Sequence, residues 1–133
     1  MTEVEIGIRW RDMDGYGHVN NAVYLNYLEE GRDRLVEHLF GAEEAWDFVL
    51  AHVGIDFRNE LTQADGRVTV RCEVAGFGRS SVRTRERIAK SDGTVAAEAE
   101  AVIVPRDRGG RASRPLNEAE RTILQRAIDA GTA

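Results

Sequence analysis

RWRDMDGYGHVNNAVYLNYLEEGRDRL, residues 9–35, decides the fold of this chain. It sets a carboxylate, Asp14, ahead of a turn containing Gly15 and Gly17, and the turn delivers the backbone into a long amphipathic segment. Val23, Tyr27, Leu28, Leu35 and Leu39 recur near helical spacing, with Gly41 just past the end, which predicts a helix over 21–39. A helix start leaves backbone N–H groups without partners and carries partial positive charge. Such groups polarise a carbonyl while a neighbouring carboxylate attacks it or activates water, so the pairing suits acyl transfer or hydrolysis. Gly31, in the middle of the helix, costs about 1 kcal/mol against alanine. Its presence predicts a close approach, by a sheet wrapped around the helix or by a second subunit.

Working outward, residues 3–10 alternate as a short first strand, and residues 46–58 (WDFVLAHVGIDFR) read as a second. In RVTVRCEV, Val68, Val70, Cys72 and Val74 share an inward face, with Arg67, Thr69, Arg71 and Glu73 outward. In SVRTRERI, Arg83, Arg85 and Arg87 lie opposite Val82, Thr84, Glu86 and Ile88. In TVAAEAEAVIVP, Val95, Ala97, Ala99, Ala101 and Ile103 share a face and Glu98 and Glu100 oppose it. The charged faces can pair Arg with Glu across strands, and the alanine face suits close packing of a helix. Gly76–Phe77–Gly78 and Ser91–Asp92–Gly93 are turn signals, and residues 105–115 read as an arginine-rich loop. Asn117 then caps a terminal helix, with Glu120 completing a near capping box. One long helix with an antiparallel sheet is an α+β domain.

The bulk numbers bound what the chain does. At 133 residues it is one ordinary domain, and a formal net charge of -5 argues against a nucleic-acid partner. No apolar run approaches the ~20 residues of a membrane span. The start, MTEVEIGIRW, lacks a signal-peptide layout, and the single Cys72 excludes an intrachain disulfide, so a cytoplasmic location is expected. Cys72 reads as a core residue rather than a nucleophile.

Asp12, Asp14, Gly17, His18, Val19, Asn20, Asn21, Tyr24, Tyr27, Glu29 and Arg32 form the pattern D-x-D-x-x-G-H-V-N-N-x-x-Y-x-x-Y-x-E-x-x-R. This pattern resembles hotdog-fold acyl-CoA thioesterases of the 4-hydroxybenzoyl-CoA thioesterase type. The likeness is densest over residues 9–35, and the element order agrees over 3–105. The resemblance implies a single hotdog domain over 1–133, with its core at 3–105 and a terminal loop and helix at 106–133. It also implies a curved sheet around the central helix, homodimers or homotetramers joined edge to edge, and active sites at the subunit interface. By the same resemblance the carboxylate at Asp14 carries the chemistry and the Asn21 backbone amide is the oxyanion donor. His18 matches acyl-CoA and acyl-carrier-protein members better than the hydroxybenzoyl type, which favours an aliphatic acyl group.

The expected catalytic set is therefore Asp14 as nucleophile or general base, the Asn21 N–H as oxyanion donor, and His18. Gly17, Asn20, Tyr24 and Tyr27 line the substrate or hold the turn. Phe57 and Asn59, at the end of the second strand, reach the acyl pocket. Ser80 and Ser81 bond the pantetheine arm, and Arg79, Arg58, Arg106, Arg108, Arg111 and Arg114 are candidates for coenzyme A phosphates. Each has a plainer reading: Asp14 as a turn cap, Asp12 as a turn hydrogen-bonding group, the tyrosines as core, the arginines as solvated loop. Glu29 and Arg32, three apart, can pair on an exposed helix face for a few tenths of a kcal/mol.

Competing motifs fail. Asp12, Asp14 and Gly17 fit positions 1, 3 and 6 of a calcium loop, but Tyr16 and Val23 stand where further ligands are needed. His38 and His52 have no partners at metal-ligand spacing, and no phosphate loop, dinucleotide fingerprint or serine elbow occurs. The expected activity is hydrolysis of an acyl-CoA or acyl-carrier-protein thioester without metal or cofactor. The rivals are a non-catalytic acyl-CoA or acyl-carrier binding domain and an acyltransferase.

Overall fold

The computed structural model describes residues 1–109 and 112–132, leaving out the side chains of residues 45, 46 and 132. Five strands, β1 (Thr2–Gly7), β2 (Phe48–Phe57), β3 (Arg67–Phe77), β4 (Val82–Lys90) and β5 (Val95–Pro105), form one antiparallel sheet in the order β1-β3-β4-β5-β2. Helix α1 (Asn21–Phe40) packs on its inner face, and α2 (Glu118–Thr132) follows the last strand. This is the curved sheet around a central helix that the resemblance implied.

The alternation read in the sequence sets the layers. Val68, Val70, Cys72, Val74, Val82, Ile88, Ala97, Ala99, Ala101 and Ile103 are all buried. Their neighbours along the strands carry the outer charges, where Arg85 meets Glu73 at 2.8 Å and Arg71 meets Glu3 at 3.0 Å. Gly31 is the close approach expected of it: a Cβ there would collide with Val70 Cγ1. The helix therefore seats directly on β3.

The core divides along α1. At its first half Tyr24, Tyr27 and Leu28 pack with Leu61, Val68, Val70, Ile88 and Ala97. At its second half Leu35 and Val36 pack with Cys72, Val82, Ile103 and, from the C-terminal segment, Leu116 and Leu124. The α2 cap forms as expected, with Glu120 N–H donating to Asn117 Oδ1 and Asn117 N–H donating to Glu120 Oε1.

Three expectations need correction. The first strand ends at Gly7, and Trp10–Asp12 forms a 3-10 turn, because the Asp12 carboxylate accepts the Arg9 N–H and the Asp12 N–H returns to the Arg9 carbonyl. Trp10 is left 78% exposed. The second strand begins at Phe48, after a 3-10 turn over Glu44–Asp47. Arg32 does not pair with Glu29 on an exposed face. It is buried and grips Glu86 of β4 through Nε and Nη2, both at 2.9 Å, while the Thr84 hydroxyl donates to Glu86 Oε2 at 2.6 Å. Burying both charges removes them from water, so each must find its partner across the core rather than along the helix.

Candidate active site

The turn between residues 13 and 20 is built by Asp14. Its Oδ1 accepts the backbone N–H of Tyr16 at 2.8 Å and of His18 at 3.2 Å, and its own N–H donates to the His18 carbonyl at 2.8 Å. Gly17 takes φ +83, a conformation that side-chain-bearing residues seldom adopt. These bonds spend one carboxylate oxygen on the turn. Among the described residues Oδ2 has no hydrogen-bond partner.

Asn20 then caps α1, its Oδ1 accepting the Ala22 N–H at 2.9 Å. Asn21 is the first helical residue and is exposed, and among the described residues its N–H meets no acceptor. A carboxylate oxygen and a helix-start amide are thus both unused on the two sides of one short turn.

Asp12, two residues before Asp14, has the opposite fate. It is 1% exposed, accepts the Tyr27 hydroxyl at 2.7 Å and the Arg9 N–H at 2.9 Å, and is held by the Arg9 guanidinium. Its carbonyl accepts the Asn20 N–H at 2.9 Å. Burial pushes its carboxyl up, but the bonds from the Arg9 N–H, Tyr27 and the Arg9 side chain outweigh this and hold it below the ordinary value. Tyr27 is pushed up, by burial first and then by Asp12. Asp12 is therefore a structural strut whose plainer reading holds, and Tyr27 is its core partner.

Residues 57–61 close one flank. The Tyr24 hydroxyl donates to the Asn59 carbonyl at 3.2 Å and accepts the Leu61 N–H at 3.1 Å. Asn59 also donates from Nδ2 to the Val95 carbonyl, and Val19 N–H donates to the Leu61 carbonyl, each at 2.7 Å. Phe57 meets the Tyr24 ring edge-on at 5.0 Å and stays 47% exposed. Between the pinned residues stands Glu60, whose Oε2 lies 3.1 Å from His18 Nε2. Sequence reasoning missed Glu60; no local spacing links it to the turn.

The structure does not bring every expected site residue together. The turn carrying Arg79, Ser80 and Ser81 joins β3 to β4 at the end of the sheet covered by the C-terminal segment, where Leu116 N–H donates to the Arg79 carbonyl. The Asp14 turn and residues 57–61 lie at the other end, separated by the length of β4, roughly 30 Å for a strand of this size. Arg108 and Arg114 are engaged with Asp47 and Glu120, and Arg106 sits in the same loop. Arg58 is exposed near Asp56 and Glu98. Arg111 lies outside the described residues. Among the described residues no cluster of metal-binding side chains is present, and no helix is long and apolar enough to cross a membrane. Two concavities of the protomer lie elsewhere: a trough of about 990 Å³ on the charged outer face, and a smaller one between α1 and β2 near Asp33 and Leu50.

Comparison with known proteins agrees with this architecture. A thioesterase from Thermus thermophilus, solved in complex with coenzyme A and zinc, is 34% identical, with a TM-score of 0.83 over 96% of this chain and 94% of that one. A protein from Bacillus stearothermophilus described as a predicted thioesterase is 26% identical, with a TM-score of 0.83 and 94% of each chain covered. The model of the Thioesterase-like superfamily matches residues 8–127, and the chain belongs to that family.

Proposed function

We propose that the chain is one catalytic domain over residues 1–133 that hydrolyses acyl-CoA thioesters to a free acid and coenzyme A. Asp14 acts as nucleophile or general base, and the Asn21 backbone N–H receives the developing oxyanion. One observation carries this reading: Asp14 Oδ1 is fixed by the Tyr16 and His18 amides, so the side chain is oriented in the turn that leads into the helix start, and among the described residues neither its Oδ2 nor the Asn21 N–H has a hydrogen-bond partner. A binding-only domain has no need of such an oriented carboxylate. The coenzyme A bound by the Thermus thermophilus relative supports coenzyme A as the thiol half. An aliphatic acyl group suits the exposed apolar side chains of Leu25, Leu50 and Phe57 on α1 and β2, and a cytoplasmic location suits a coenzyme A substrate.

The reading includes a homo-oligomer. Strand β2 ends the sheet, is ten residues long, and leaves a row of backbone groups unpaired beside exposed Leu50 and Phe57. Antiparallel pairing of two β2 edges about a twofold axis reverses the partner sheet. The partner's Arg79–Ser81 end then stands on the same rim as the Asp14 turn, which returns those residues to the site. Sedimentation at micromolar concentration showing only monomer would count against this arrangement.

The test of the chemistry is Asp14→Asn assayed on a panel of acyl-CoA thioesters by free-thiol release. Loss of about 10³-fold or more in kcat with KM little changed is expected, the signature of an interaction made in the transition state. Unchanged turnover would remove Asp14 from the mechanism.

A further inference from the structure

Resting on the thioesterase reading above, we propose that the acyl group is a medium-length chain whose far end carries a hydroxyl, and that Arg32, Glu29 and Asp33 bind that hydroxyl. The three residues line a cavity of about 230 Å³ between α1 and β2, with apolar walls from Val36, Phe48 and Leu50. Arg32 gives the cavity its chemistry. Its side chain is 7% exposed, and Glu86 takes only Nε and Nη2. A guanidinium offers five N–H groups, so the two on Nη1 remain, and among the described residues they meet no acceptor. Nη1 is not among the buried polar atoms left without a partner, so it opens onto the cavity that Arg32 lines. The grip on Glu86 fixes the plane of the guanidinium, and this donor is therefore aimed before any ligand arrives.

Glu29 and Asp33 stand about one turn apart on the same side of α1, and neither pairs with Arg32 among the described residues. This set of groups selects the ligand. A hydroxyl accepts from Nη1 and donates to a carboxylate, matching both without bringing a charge of its own. A methyl end leaves Nη1 unmatched, a carboxylate end meets two acids, and an ammonium end meets the guanidinium. Distance selects the length. At ~1.5 Å per residue, Glu29 lies roughly 12 Å along α1 from the Asn21 amide. Strand β2 runs beside the helix over this span, Phe57 meeting Tyr24 at one end and Phe48 stacking on Phe40 at the other. The way between is apolar: Leu25, Phe57 and Leu50 are exposed and Ile55 is partly buried. C–C bonds of ~1.5 Å laid as an extended zigzag cover that span with about ten carbons.

The experiment measures kcat/KM by free-thiol release on decanoyl-CoA and on its terminally hydroxylated counterpart. The parent protein is expected to prefer the hydroxylated chain by about 10- to 100-fold, the size of a hydrogen bond to a charged group. On the hexanoyl pair, too short to reach the cavity, the preference is expected to vanish. Glu29→Leu combined with Asp33→Leu is expected to remove the preference on the decanoyl pair. Equal turnover of both decanoyl thioesters by the parent, or the same preference on the hexanoyl pair, would overturn the proposal. So would a double variant that keeps the preference; if that variant also sediments as a monomer, the two carboxylates belong to the subunit contact instead. Failure of the underlying reading looks different: the parent protein would then release thiol from none of the four thioesters.

Discussion

The start of α1 and its middle both carry charged side chains, and the fold treats them in opposite ways. At the middle, Arg32 and Glu86 are 7% and 0% exposed, and Thr84 supplies a further donor to the carboxylate. Cys72 lies 3.8 Å from the same Glu86 oxygen, and burial first, then Glu86, pushes its thiol up and away from reactivity. Both Glu86 oxygens are matched there. At the start, Asp14 is half-buried and spends one oxygen on the turn, and among the described residues neither its other oxygen nor the Asn21 amide is matched. A saturated carboxylate has nothing left for a ligand, whereas an oriented carboxylate and a bare amide do. One helix thus holds a structural pair in its middle and the candidate chemistry at its tip.

The sharpest test of that contrast is Arg32→Ala, which strands the Glu86 carboxylate in the core and is expected to cost about 3–5 kcal/mol in urea unfolding. Replacing Arg32 and Glu86 together by Met and Leu should recover most of that loss, since the penalty lies in the orphaned charge.

Tyr27→Phe removes a buried bond to Asp12 and is expected to cost about 1.5–3 kcal/mol, in the range of hydrogen bonds to charged groups. The same strut gives an acid dependence. Asp12 titrates lower when folded than the about 3.9 of an unfolded aspartate, so its contribution is fully present above that value. It drains away as pH falls through the lower folded value. Urea midpoints followed from pH 7 downward should therefore fall on acidification, and fall less steeply in Tyr27→Phe. Gly31→Ala, which drives a methyl against Val70, should cost about 1–3 kcal/mol by overpacking.

At the other extreme, Asp14→Asn keeps an Oδ1 acceptor for the turn and should change stability by only about 0.5 kcal/mol, the scale of a charge at a helix start. If it unfolded the protein as Arg32→Ala does, the turn would be a structural element and the contrast would disappear.

The fold was largely legible because its determinants are local. The period of α1, the alternation of β3, β4 and β5, the demand for space at Gly31 and the Asn117–Glu120 cap all act within a few residues or depend only on which face is apolar. The same local pattern, D-x-D through E-x-x-R, identified the family. Local rules also misled where a partner closer in space was out of view in sequence. Spacing offered Glu29 to Arg32, but burial delivered Glu86. Spacing grouped Asp12 with Asp14, but Tyr27 and Arg9 consumed one of them.

By itself, then, the sequence determined a central helix under a patterned antiparallel sheet, a carboxylate-bearing turn at the helix start, and membership of a thioesterase family. Only the tertiary structure decided that the Asp12 carboxylate is buried and fully engaged while Asp14 gives the turn one oxygen, that Glu60 meets His18, and that Arg79, Ser80 and Ser81 stand at the far end of the protomer. Periodicity and capping are settled by neighbours along the chain. Which charges meet is settled by which strands become neighbours across the sheet, and that depends on burial of the whole core.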